Sequence, residues 1–212
     1  MKRLLVASAL AGAMCANVAV AADMLPQAND PYFVAAQQTL QQKLQQQANT
    51  NRAKNIILFV GDGMSIPTVT AARYEGQKRG VDGESNSLVF GQFPNVALSK
   101  TYTHDAQIAD SAPTASAMMA GVKMNNGTIG VSSDVARGDC KAQLAHPVKS
   151  LAAQAEEQGM STGVISTARL THATPAATYV HTSDRDWESD SDLSDAAKAD
   201  GCKDIAAQLI EW

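Results

Sequence analysis

Asn55-Ile56-Ile57-Leu58-Phe59-Val60-Gly61-Asp62-Gly63-Met64 reads as a strand that delivers a carboxylate to a turn. The apolar run from Ile56 to Val60 shows no alternation, so both faces of the strand are expected to be covered. That is the pattern of a strand inside a parallel sheet. Asp62 then stands at the carboxyl edge of the sheet, where α/β folds place their ligands. Its flanking glycines let the backbone approach an ion closely. An aspartate in such a turn also serves as a cap or turn residue, and for Asp62 alone both readings stand.

Outward from this run, helix and strand signals alternate. Ser65-Ile66-Pro67 starts a helix that continues through Arg73, and Val96-Ala97-Leu98 is a short second strand. Ser111 to Val122 is an alanine- and methionine-rich helix with Pro113 tolerated in its first turn and Gly121 near its end. Val148 to Gln158 is expected to be helical with Val148, Leu151, Ala152 and Ala155 inward, ending at Gly159. Thr162 to Thr167 follows as another buried strand, and Cys202, Ile205, Ala206 and Leu209 form the inner face of a last helix. The alternation places the chain in the α/β class. No internal repeat is visible.

Before the first strand, residues 23–54 are polar and glutamine-rich, with Phe33, Gln37, Leu40 and Leu44 at helical spacing after the start signal Asn29-Asp30-Pro31. This favours a helical arm with a narrow apolar stripe; a flexible linker is the alternative. Residues 1–22 have the form of a signal peptide. Lys2 and Arg3 precede an apolar, alanine-rich stretch to Val20, and small residues occupy the two positions a signal peptidase reads. A membrane anchor is the competing reading, weakened by Asn17 and by the run of small residues. The expectation is export, to a periplasm or out of the cell, with no stable membrane insertion after cleavage.

The formal charge of −4 becomes −6 (−4 minus 2) without Lys2 and Arg3. A mildly acidic body argues against nucleic acid as partner, because phosphate backbones select basic faces. It leaves room for a small phosphate ester held by local charge. Loss of Cys15 with the signal leaves Cys140 and Cys202, an even count that favours a disulfide in an oxidising compartment. Two reduced core cysteines are the alternative. The acids between Asp184 and Asp204, among them Asp186, Glu188, Asp190, Asp192 and Asp195, read as a solvated surface and lack the spacing of a calcium loop.

Asp110-Ser111-Ala112 offers a hydroxyl at a helix start, where backbone N–H groups and the helix dipole favour an incoming anion. A serine hydroxyl needs a base or a metal to take charge of its proton. The chain has four histidines, and nothing in the sequence places the nearest, His104, on Ser111. The surroundings do not spell Gly-x-Ser-x-Gly either, which argues against a hydrolase elbow. A metal can do the same work and clamp substrate oxygens as well.

From Lys54 onward the chain resembles the alkaline phosphatases. The matching runs are Asn55 to Met64, Val96 to Tyr102, Asp110-Ser111-Ala112 leading into Ala120-Gly121-Val122-Lys123, Thr171 to Ala176, and His181 to Arg185. The resemblance implies a three-layer α/β/α sheet, incomplete in this chain, with residues 55–212 as the amino-terminal part of the catalytic domain. It implies hydrolysis of small-molecule phosphate monoesters through a phosphoserine, with zinc and magnesium. Ser111 would be the nucleophile and a zinc ligand, Asp62 would bridge zinc and magnesium, and Thr174 would ligate magnesium. Arg185 would bind two phosphate oxygens, and Asp110 would help to hold it. His172 takes a position where family members carry aspartate or histidine, and would meet magnesium through water or sit beside it. His181 is expected to be structural and His146 exposed. Family members run to roughly twice this length and often dimerise. The further part would supply most zinc ligands, so the 212-residue chain alone is expected to be inactive.

Overall fold

The computed structural model describes residues 25–47, 49–76, 80 and 86–212. The signal peptide expected over residues 1–22 lies outside the described residues. Two compact units are present, each taken by itself below. One holds the described residues up to Phe59 together with those of Pro67–Val96, and the other holds Val60–Ile66 with Ala97–Trp212.

In the first unit, helix α1 runs Pro31–Leu44. Its start is dictated by Asp30, whose carboxylate accepts from the N–H groups of Tyr32 and Phe33, with proline in the first turn. No residue of α1 is fully buried; of its apolar stripe Phe33 is half-buried and Leu40 and Leu44 are exposed. Helix α2, Ile66–Glu75, forms where Ser65-Ile66-Pro67 signals it. Arg73 and Asn86 exchange side chain-to-backbone hydrogen bonds of 3.1 and 3.0 Å. Among the described residues no helix is long and apolar enough to cross a membrane.

The second unit carries the core. Its helices are α3 (Ser111–Ala120), α4 (Cys140–Ala145), α5 (Leu151–Glu157), α6 (Ala173–Ala176), α7 (Asp195–Ala199) and α8 (Ile205–Glu211). Short sequences become helices here largely because five of these six have a side-chain cap. Asp110, Asp139, Ser150, Ser194 and Asp204 each accept a backbone N–H from the first turn of their helix. Gly121 closes α3 at φ 70, a conformation that other residues rarely adopt. Ala112 and Ala115 of α3 pack on Ala173, Ala176 and Ala177, with Ile129, Tyr179, Val180 and Ile205 completing the cluster. Methyl-sized side chains let α3 and α6 approach closely, which brings the start of α3 beside the start of α6. A second cluster gathers Cys140, Trp187, Leu193, Ala197 and Cys202. Cys140 and Cys202 form the expected disulfide.

Two sequence expectations are corrected. The runs Ile56–Val60 and 162–167 are expected to be buried strands and Val96–Leu98 a short strand, but among the described residues the only β pairing is the isolated bridges Ile129–Thr182 and Val131–Pro147. Phe59, Leu98 and Ile165 are 90, 101 and 100 % exposed. A strand of a parallel sheet needs hydrogen-bonded neighbours at its edges and helices on its faces, and the described residues provide neither for these runs. In α5 the cap Ser150 sets the phase so that Ala152 is buried while Leu151, expected inward, is 42 % exposed.

Candidate active site

Asp110 is the hub from which the site is built. It is the residue before α3, in extended conformation, so its carboxylate turns back over the helix start. One oxygen, Oδ1, accepts from Ala112 N at 2.6 Å and from Arg185 Nη1 at 3.0 Å. The other, Oδ2, accepts from Gly127 N at 2.6 Å. Its backbone is held too, with its N–H on Asn126 Oδ1 at 3.3 Å and its carbonyl taking the Thr114 hydroxyl at 2.9 Å. Cap, loop and arginine are thereby fixed by one side chain.

Arg185 reaches this hub from residues 75 away in sequence. Its backbone N–H donates to Gly127 O at 2.7 Å, so Gly127 holds both Asp110 and Arg185. The guanidinium divides its donors: Nη1 donates to Ser111 Oγ at 3.0 Å as well as to Asp110, while Nη2 lies 3.2 Å from His172 Nε2. The Arg185 side chain is 20 % exposed, so it is mostly sheltered yet reachable from solvent.

A guanidinium has no lone pair to offer. The contact with Arg185 therefore makes His172 Nε2 the acceptor and puts the ring proton on Nδ1. That Nδ1–H is buried and has no hydrogen-bond partner among the described residues. Two residues on, the Thr174 hydroxyl donates to Asp62 Oδ2 at 2.8 Å. His172 is the residue before α6, without a capping hydrogen bond from its ring, and Thr174 lies within the helix, so a single turn carries both groups. The structure thus joins Ser111, Asp110, Arg185 and His172 in one set of contacts and Asp62 with Thr174 in another, linked through 172–174.

The turn holding His172 is itself braced. Arg169 donates from Nε and Nη2 to the two oxygens of Glu188, at 2.9 and 2.6 Å, and the Thr171 hydroxyl adds a third bond at 2.6 Å. The hydrogen bond from Arg169 is the main reason the Glu188 carboxyl falls to about 2; burial opposes it, and Thr171 assists. Tyr179 OH donates to Leu170 O at 2.7 Å, and burial pushes that hydroxyl up to about 12. Sequence reading had placed Glu188 on a solvated acidic surface. The residue that reveals otherwise is Arg169, which a linear scan had no reason to pair with it. His181, expected to be structural, has its Nδ1 2.6 Å from Gly130 O, and His146 is exposed.

The chain matches the sequence model of the family described as alkaline phosphatase over residues 53–212. It belongs to the alkaline phosphatase family. The alkaline phosphatase of Gadus morhua is 51 % identical over 178 residues, covering 83 % of this chain and 37 % of that protein. The tissue-nonspecific isozyme of Homo sapiens is 49 % identical over 177 residues, covering 82 % of this chain and 34 % of that protein. Among solved structures, the cold-active alkaline phosphatase of Shewanella sp. superposes with a TM-score of 0.50 at 33 % identity, over 66 % of this chain and 31 % of that one. That of Thermus thermophilus does so with 0.50 at 25 % identity, over 72 % and 27 %. The fold class is the α/β class of the alkaline phosphatases, present here in part. The chain spans about a third of the length of the curated relatives it matches.

Proposed function

We propose that this chain carries the nucleophile and phosphate-binding half of a phosphate monoester hydrolase, working in the frame of a longer enzyme. The observation that carries the reading is the Arg185 guanidinium 3.0 Å from Ser111 Oγ, with Asp110 fixing it. Ser111 Oγ attacks phosphorus as its proton passes to solvent, the ester P–O bond breaks, and the leaving oxygen takes a proton from solvent and departs as an alcohol or phenol. Arg185 turns its planar fork from Ser111 Oγ to two oxygens of the transferred group. Backbone N–H groups at the start of α3 face the same charge. Water then attacks the phosphoserine, releasing inorganic phosphate and restoring the Ser111 hydroxyl.

The residues present fit a hard cation such as magnesium in part. Asp62 Oδ2 and the Thr174 hydroxyl lie 2.8 Å apart and would offer oxygens, the donor type magnesium takes. The orphan His172 Nδ1–H can donate to a water, and magnesium keeps several. As a donor, Nδ1 offers the ion no lone pair, so His172 serves it only through water. The fit to zinc is incomplete. Catalytic zinc takes three protein ligands, Asp62 and Ser111 would supply two, and among the described residues no group of three or more His, Cys, Asp or Glu is assembled. When bound, the metals would supply positive charge that lowers the pKa of the attacking oxygen and balances charge on the leaving group.

In this reading the 212-residue chain alone turns over little or no substrate. Each 1.36 kcal/mol of lost charge stabilisation is about tenfold in rate. Turnover of p-nitrophenyl phosphate with added zinc and magnesium tests it, comparing the chain, the full-length enzyme that carries it, and Ser111→Ala and Arg185→Ala in each. Activity confined to the longer enzyme, abolished by Ser111→Ala and strongly reduced by Arg185→Ala, is expected. Robust turnover by the 212-residue chain that vanishes in Ser111→Ala would overturn the account of its incompleteness. We also propose that α1 contributes to a homodimer in the longer enzyme. Export is proposed as well, with mature material beginning at Ala22 or Asp23; amino-terminal sequencing checks it, and intact Met1 in a membrane pellet would contradict it.

A further inference from the structure

Arg185 lies between two carboxylates in sequence, Asp184 and Asp186, and a second arginine, Arg137, is bonded to both. Arg137 donates from Nε and Nη2 to Asp184 Oδ1, at 3.2 and 2.9 Å, and from Nη2 to Asp186 Oδ2 at 2.5 Å. Asp186 N also donates to Asp184 Oδ1 at 3.0 Å, closing the group. The other Asp186 oxygen, Oδ1, stands 3.9 Å from Arg185 Nε, beyond hydrogen-bond reach. Arg137 itself lies across Gly127: a Cβ there would come within 2.7 Å of its Cδ and 2.8 Å of its Nε. Gly127 is the residue whose N–H holds Asp110 and whose carbonyl holds the Arg185 backbone.

We propose that Arg137 is a positioning residue for Arg185, holding Asp186, with Asp184 as its anchor, so that Asp186 does not close on the guanidinium that must receive phosphate. The proposal rests on the phosphate monoester reading of the site. Arg185 already gives Nη1 to Asp110 and Ser111 and faces His172 with Nη2. A bidentate grip on phosphate needs parallel N–H groups still free to turn toward it. With Arg137 gone, Asp186, whose side chain is 71 % exposed, has only about an ångström to move to reach Nε. A carboxylate bonded there competes with phosphate for the same donors and adds like charge beside the incoming dianion. A lysine in place of Arg137 keeps one cation but lacks the fork that spans both carboxylates.

The test uses the full-length enzyme and reads kcat, KM and competitive inhibition by inorganic phosphate. Arg137→Ala is expected to raise KM and the phosphate inhibition constant together by about tenfold, with kcat changed by about twofold or less. Asp186→Asn should stay close to wild type, and Arg137→Ala/Asp186→Asn should return to within about twofold of Asp186→Asn. Arg137→Lys should fall between wild type and Arg137→Ala, and it carries the test if Arg137→Ala does not fold. An unchanged KM in both Arg137 variants, or the same rise with and without Asp186→Asn, overturns the proposal while leaving the site reading intact. Absence of any Ser111-dependent turnover in the full-length enzyme overturns both.

Discussion

Replacing Glu188 with glutamine should cost stability at neutral pH and cost nothing in strong acid. Folding lowers the Glu188 carboxyl from 4.5 to about 2, chiefly because Arg169 donates to it, against the cost of burial and with help from Thr171. A group held below its unfolded value binds protons more weakly when folded. Its stabilisation is therefore complete above pH 4.5 and is lost as pH falls through about 2. Fully expressed, that shift would be worth roughly 3 kcal/mol. Glu188 is 24 % exposed but Arg169 is 68 % exposed, so solvent screens the pair. About 1 kcal/mol is the expected share. Urea unfolding of wild type and Glu188→Gln at several pH values reads the difference directly. The gap should be near 1 kcal/mol at pH 7 and should close towards pH 2. A gap that is absent at pH 7, or that persists undiminished in acid, would refute the pairing argument.

Two stability predictions accompany it. Cys140→Ser with Cys202→Ser removes a bridge closing a separation of 62 residues, and should lower stability by about 4 kcal/mol in the chain-entropy model; an unmoved unfolding midpoint would count against the bridge. Gly130→Ala should destabilise by about 3 kcal/mol or more, since the added Cβ would meet Val180 O at 2.1 Å at a residue with φ +64. A thermal melt within a degree or two of wild type would contradict it.

Of the candidate site, Asp62 and Ser111 were legible on short local signals, whereas His172 and Thr174 were reached only through family resemblance. Asp62 follows an apolar run between two glycines, Ser111 follows its own cap, and Thr174 and His172 share one turn. Arg185 was found through family resemblance, and its partnership with Asp110 spans 75 residues that no local pattern bridges. The braces escaped for the same reason. Arg137 meets Asp184 across 47 residues and Arg169 meets Glu188 across 19, while the acids themselves looked like a solvated face. Composition announces charge without announcing who neutralises it. The apolar runs at 56–60 and 162–167 were readable as strand sequences, yet ladders are made by neighbours, and sequence pattern alone supplies none. The phase of α5 was missed because one capping hydroxyl, Ser150, outweighed the pull of a single leucine.

The central claim is that Ser111 becomes phosphorylated during turnover. Full-length enzyme incubated with inorganic phosphate at acidic pH, quenched in acid and digested, should yield a peptide carrying one phosphate on Ser111 by mass spectrometry, absent from Ser111→Ala. Turnover with no label at Ser111 under any quench condition, or a label retained in the Ser111→Ala enzyme, would contradict the account.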